Sequence, residues 1–264
     1  MSKFIDKLKQ LSRVAPQPMG FRTTQSASLK PRIQLVASLA EDSASMAGSL
    51  AGADAGLVRI SKLAAVAGTF DKVSRAMPGI PWGLRISGQQ QTAPLGQTGG
   101  DFIVFPATTP LRLLENNDAG KILEVETSLT EGLLRTANEL PVDAVLISLE
   151  EIEGDLLTWQ HLMLFQRLAS LVTKPILASV PANLSAADLR TLWETGIDGI
   201  VIEVSAKMPA SRLTELRQLI DQTDFPLPRK RGKAAEPRLP YLGRETSAVT
   251  SEEEEGGEEE EEDE

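Results

Sequence analysis

The chain of 264 residues has no cysteine and a single histidine, His161. The first absence excludes disulfides, thiolate zinc sites, iron–sulfur clusters and a cysteine nucleophile. The second leaves any metal site to carboxylates alone, and no predicted strand end carries the Asp/Glu cluster that magnesium needs. A Ser–His–acid triad would have to use His161, which sits inside a helical pattern beside Trp159 and Leu162, far from any strand end. A structural or surface role is expected for it. Aromatic residues make up 4% of the chain, and no apolar run approaches the roughly 20 residues that a membrane helix requires. Met1 to Val14 is charged every few residues and lacks the apolar stretch of a secretory signal, so a cytoplasmic location is expected.

Charge is present but unevenly spread. The net charge of −10 comes from the end of the chain, where Glu252–Glu255 and Glu258–Glu264 supply 11 acidic groups; taking these from 37 leaves 26 acids against 27 bases. Residues 1–32 carry seven bases and one acid, residues 33–224 carry 14 bases and 23 acids, and residues 225–244 carry six bases and one acid. An acidic tail competes with phosphates for the basic flanks, so strong nucleic-acid binding is not expected.

A two-beat pattern recurs four times between Pro31 and Val204. On one beat Pro or Lys leads into an apolar run: Pro31 before Ile33–Ser38, Pro81 before Gly83–Ser87, Lys121 before Ile122–Glu126, Pro175 before Ile176–Ser179. On the other beat an Asp precedes the run: Asp54 before Leu57–Ile60, Asp101 before Phe102–Phe105, Asp143 before Val145–Ile147, Asp198 before Ile200–Ile202. Eight strands with helix-length segments between most of them predict an α/β fold, a compact (β/α)8 TIM barrel over residues 33–223.

The flanks read differently. Phe4, Ile5, Leu8 and Leu11 lie at helical spacing among Lys3, Lys7, Lys9 and Arg13, which predicts a basic amphipathic helix ended by Pro16 and Pro18, within a 1–32 helix-and-linker segment. Such a helix can lie on a membrane or plug the N-terminal mouth of the barrel; the plug is favoured because it has only three turns. Further helices are expected at Ser43–Gly52, Lys62–Arg75, Thr108–Gly120, Thr130–Leu140, Asp155–Val172, Ser185–Gly196 with a capping box, and Arg212–Asp221 with Ser211 as cap. The third crossover is irregular, because residues 88–100 carry repeated Gly and Pro and little to bury. Residues 224–264 form a tail, basic and Pro-rich over 225–244 and acidic over 252–264, expected to be disordered. The tail and the 88–100 loop are the candidate protein-partner surfaces.

Barrel strands alternate inward and outward residues, and the outward ones must be apolar beneath helices. Arg59, Arg85, Glu124, Glu126 and Glu203 each sit between apolar neighbours and therefore point inward. Buried charge persists only when paired, so the arginines should meet the glutamates. Two readings stand: an internal salt-bridge layer, or a site in which Arg59 and Arg85 hold a small anionic ligand and Glu126 or Glu203 acts as general base. Ser38, Ser61, Ser87, Ser148 and Ser179 fall at or near strand C-termini, and Lys62, Glu150, Asn183 and Lys207 lie just beyond, on the functional face of such a barrel. Of these, Ser179, Lys62 and Lys207 are added to the candidate ligand-binding set.

Lys174-Pro-Ile-Leu-Ala-Ser-Val180, followed by Gly196-Ile-Asp-Gly-Ile-Val-Ile202, resembles the last quarter of the phosphate- and flavin-binding barrels, among them thiamine-phosphate synthase, indole-glycerol-phosphate synthases and FMN-dependent oxidoreductases. The resemblance implies the fold over residues 33–220. Those barrels end their seventh and eighth strands in glycine-containing turns that cradle phosphate. Here the ends read Ser179-Val-Pro-Ala-Asn183 and Glu203-Val-Ser-Ala-Lys207, and Pro181 has no N–H to offer. The phosphate cup is not carried over, so no cofactor is assigned. The chain reads as a degenerate barrel with a binding or scaffold role; the alternative is a lyase, isomerase or oxidoreductase acting on a small anionic metabolite.

Overall fold

In the computed structural model, residues 2–12, 32–40, 50–60, 72–75, 77–87, 99–115, 117–149, 156–205, 208–209 and 211–226 are described. Eight parallel strands close into a barrel in chain order: β1 (Gln34–Leu39), β2 (Ala55–Ile60), β3 (Trp82–Ile86), β4 (Phe102–Pro106), β5 (Gly120–Glu126), β6 (Ala144–Ser148), β7 (Ile176–Ser179) and β8 (Gly199–Val204). Closure is made by six residue pairs between β1 and β8, from Gln34 opposite Gly199 to Leu39 opposite Val204. The expected eight-stranded α/β barrel is therefore the observed one, each strand within two residues of its expected start.

The described helices are α1 (Lys3–Ser12), α2 (Glu131–Thr136), α3 (Trp159–Leu171), α4 (Ala186–Thr195) and α5 (Arg212–Gln222). Three expectations are corrected. The helix after β4 is a single 3-10 turn, Leu111–Leu114, because Pro110 stands in extended backbone and Glu115 leaves the helical region. Helix α3 starts at Trp159 rather than Asp155: Thr158 caps it, and the His161 side chain accepts the Thr158 N–H in return. Ser211 does not cap α5; its own backbone is helical and its hydroxyl donates to Glu215. The Ser185 capping box and the left-handed Gly196 at the end of α4 are as expected. Of the expected helix over Lys62–Arg75, residues 72–75 are helical and 62–71 lie outside the described residues, as do most of Ser43–Gly52, the 88–98 part of the third crossover, and the tail beyond 226.

Two apolar clusters follow from strand alternation. Outward residues such as Leu35, Val58, Leu84, Ile103, Val145, Ile176 and Ile202 pack against the helices. Inward residues Val36, Ala55, Leu57, Phe102, Val104, Ile122, Ala144, Leu146, Leu177 and Val201 fill the barrel together with Phe4, Ile5 and Leu8 of α1. Helix α1 is thus the plug, and its apolar face is buried against the barrel rather than available to a membrane. Burying Phe4, Ile5 and Leu8 contributes about 1.5–3 kcal/mol each. Gly120 makes this docking sterically allowed, since a Cβ there would stand 2.4 Å from Ile5 Cγ1. At Gly83 the missing side chain leaves room for the Phe102 ring, which packs on Phe4 with centroids 4.8 Å apart.

The Asp beat has a structural meaning. Asp54, Asp143 and Asp198 each donate their N–H to the carbonyl of Leu35, Lys121 and Ile176, at 2.8, 2.7 and 2.8 Å. Their carboxylates take the N–H of the same residues back, at 3.0, 3.0 and 2.7 Å. Each Asp is therefore a clasp joining an odd strand to the following even one at the N-terminal end. Asp101 makes the backbone half with Trp82, at 2.8 Å, but turns its carboxylate to α1, accepting from Ser2 Oγ, Lys3 N and Phe4 N at 2.7, 2.8 and 2.9 Å. Two more clasps reach the plug through charge: Lys7 bonds Asp54 at 2.7 Å and Lys9 bonds Asp143. Burial pushes the Asp143 carboxyl up, but the Lys121 N–H and the Lys9 ammonium outweigh it and hold the group below its ordinary value.

Candidate functional site

At the C-terminal end the strands open into a cavity of about 610 Å³, within the range that takes small ligands. Its walls come from the inward positions at the strand ends. The alternation that buries Leu57 and Val104 lower down places Arg59, Arg85, Glu124, Glu126 and Glu203 here, with Ser38, Ser148 and Ser179. Five of the seven candidate site residues, namely Glu126, Glu203, Arg59, Arg85 and Ser179, therefore meet in one mouth. Lys62 and Lys207 lie outside the described residues, as do Ser61 and Glu150. Asn183 is described but does not line the mouth.

The charges sort into two pairs. Arg85 reaches over β4 to grip Glu124 with two nitrogens, Nε to Oε2 at 3.1 Å and Nη2 to Oε1, and its Nη2 also donates to Ser148 Oγ at 3.0 Å. Both side chains are 13% exposed, so this bidentate pair is partly desolvated and geometrically fixed. Arg59 reaches over β1 to Glu203, Nη2 to Oε1 at 3.0 Å, with side chains 36% and 57% exposed. A pair this wet contributes about 0–1 kcal/mol and opens cheaply. Glu126 differs: among the described residues its carboxylate receives only the Ser128 hydroxyl, at 3.2 Å.

Hydroxyls stand among these charges around the mouth. Ser148 on β6 and Ser179 on β7 are partly exposed to the cavity. Ser38 on β1 is 2% exposed, and its Oγ is buried without a hydrogen-bond partner among the described residues. On the same strand face, Gln34 is fully buried with both side-chain polar atoms in the same condition. Sequence reasoning put Ser38 and Ser148 at strand ends but left them out of the binding set. Nothing in a single serine announces that its partner will be missing. Among the described residues no group of three or more His, Asp or Glu side chains is placed to hold a metal ion, and no helix is long and apolar enough to cross a membrane.

The closed parallel barrel with a residue-lined mouth at the strand C-termini defines a TIM-barrel protein. No family model and no curated protein matches the sequence. Solved structures do match its fold. Thiamine phosphate pyrophosphorylase from Pyrococcus furiosus aligns with a TM-score of 0.53 at 12% identity, covering 72% of this chain and 96% of that one. A mutant tryptophan synthase alpha-subunit from the same hyperthermophile aligns with a TM-score of 0.55 at 11% identity, over 72% and 97%. Tryptophan synthase from Mycobacterium tuberculosis aligns with a TM-score of 0.53 at 16% identity, over 74% and 94%. At these identities the likeness is one of architecture, as the sequence resemblance implied.

Proposed function

We propose that the protein is a degenerate TIM barrel of the cytoplasm that binds a small molecule in its C-terminal mouth without transforming it. The observation that carries this reading is the pairing of both mouth arginines. Arg85 is held by Glu124 and Ser148, and Arg59 is held by Glu203. An arginine that clamps an anionic substrate must bring unspent donors to it, and a glutamate that acts as base must not be tied to a guanidinium. Glu203 fails that requirement while the pair is closed. The Ser179-Val-Pro181 strand end, with no N–H at Pro181, adds to the argument against a phosphate cradle.

A second reading is favoured by one observation, the open mouth with Glu126 free of any cation among the described residues. In it the protein is a lyase, isomerase or oxidoreductase, Arg59 turns from Glu203 to a small anionic metabolite, and Glu126 or Glu203 takes a proton. A thermal-shift screen against phosphorylated sugars, flavins, nicotinamides, CoA esters and uncharged or amino sugars, each hit followed by NMR of the ligand itself, separates the two. Any ligand at 100 times its Kd adds about 2.7 kcal/mol of stability. Recovery of the hit unchanged after prolonged incubation is the expected result; conversion at the rate of an enzyme overturns the binding-only reading.

A further inference from the structure

The reading of the mouth as a binding site leaves its ligand class open, and the charges and hydroxyls there narrow it. Two arginines face three glutamates, so the mouth carries a formal charge of −1 from these five side chains. Each arginine has a carboxylate already, and the carboxylate left over is that of Glu126, at the end of β5 and exposed. Among the described residues no cation stands beside Glu126, so a small anion entering this space would meet a net negative charge. A small cation would meet a ready partner.

The second observation is independent of charge. Ser38 lines the same cavity, is 98% buried by its 2% exposure, and its hydroxyl has no partner among the described residues. A buried hydroxyl left unpaired is destabilising, and that cost is removed when a ligand hydroxyl or a trapped water bonds to it. Ser179, two strands away, presents another hydroxyl to the cavity, and Arg59 and Glu203 flank Ser38 in a pair exposed enough to part. In the ring of eight strands β1 and β5 lie opposite each other, so Ser38 and Glu126 face across the mouth.

We infer that the mouth binds a small polyhydroxylated amine, with its ammonium on Glu126 and its hydroxyls on Ser38 and Ser179. The cavity of about 610 Å³ admits a molecule of amino-sugar size. The inference rests on the binding reading above, but it stands or falls on charge and hydroxyl recognition rather than on turnover.

The test uses the full chain and four matched probes: glucosamine, glucose, N-acetylglucosamine and glucose 6-phosphate, titrated by calorimetry at low and at physiological salt. Glucosamine is expected to bind at least tenfold more tightly than glucose or N-acetylglucosamine and to weaken with salt, with glucose 6-phosphate weakest of the four. Glu126→Gln should bring glucosamine down to the level of glucose. Ser38→Ala should weaken both sugars severalfold while preserving their ratio, and it removes an unpaired group, so its fold is safe. Tightest binding of glucose 6-phosphate, absence of binding by glucosamine, or a glucosamine affinity indifferent to Glu126→Gln each overturns the inference. NMR of the bound probe separates the two proposals: chemical conversion of glucosamine refutes the binding-only reading while the amine preference stands.

Discussion

The two ends of the barrel are built from the same strands and solve opposite problems. At the N-terminal end four aspartates join strand to strand through their backbone amides, and three of them also hold α1 through Lys7, Lys9 and the first amides of the helix. Below that layer Phe4, Ile5 and Leu8 fill the interior. At the C-terminal end the interior turns polar, a cavity remains open, and among the described residues one carboxylate has no cation beside it and one buried hydroxyl has no partner. The strand clasps and the plug concentrate at one end of the barrel, and the cavity opens at the other. This division follows the general rule for such barrels, whose N-terminal face reads as stability and C-terminal face as function.

The comparison can be broken experimentally, beginning with the plug. Phe4→Ala removes a fully buried ring that packs on Phe102 and should cost about 3–5 kcal/mol by urea denaturation. A cost below about 1 kcal/mol would mean that α1 is an ornament on an already closed barrel. At the other end, Arg85→Met strands Glu124 beside Ser148 and should cost about 3 kcal/mol, whereas Arg85→Met with Glu124→Leu should recover most of it. Equal losses in the single and double variants would show that the pair itself, rather than its neutrality, stabilises the mouth.

Smaller effects sharpen the picture. Asp101→Ala withdraws the acceptor for Ser2, Lys3 and Phe4 and should cost about 1–2 kcal/mol, with faster amide exchange confined to the first turn of α1. The smallest is a pH effect at Asp143. Its carboxyl is held below the ordinary value in the folded chain, so its contribution is complete above about pH 4 and is lost as pH falls through the lowered folded value. Asp143→Asn should therefore flatten the loss of stability below about pH 4 and leave its shape near neutrality unchanged, read from denaturation curves at successive pH values.

Much of the fold was legible because it is periodic. The eight apolar runs repeat at spacings that a strand–helix alternation satisfies, and their inward parity places Arg59, Arg85, Glu124, Glu126 and Glu203 on the barrel's interior face. The choice of partners was not legible. Parity says that Arg85 points inward; it does not say that Glu124, 39 residues on, is within reach while Glu126 is not. The same holds for the start of α3, where the Thr158–His161 cap decided the boundary, and for the 3-10 turn after Pro110, which ends where Glu115 leaves the helical region.

What the chain order alone determined is the barrel: strand number, strand order, the aspartate beat and the set of inward charges, all consequences of local alternation and short connections. Tertiary structure decided the rest. It turned the carboxylate of Asp101 away from the strand clasp and onto the N-terminus of a helix 98 residues earlier, seated that helix over Gly120, and joined Arg59 to Glu203 across β1. Those outcomes depend on which side chains arrive at the same point in space, a matter of packing and register that no local window of sequence contains.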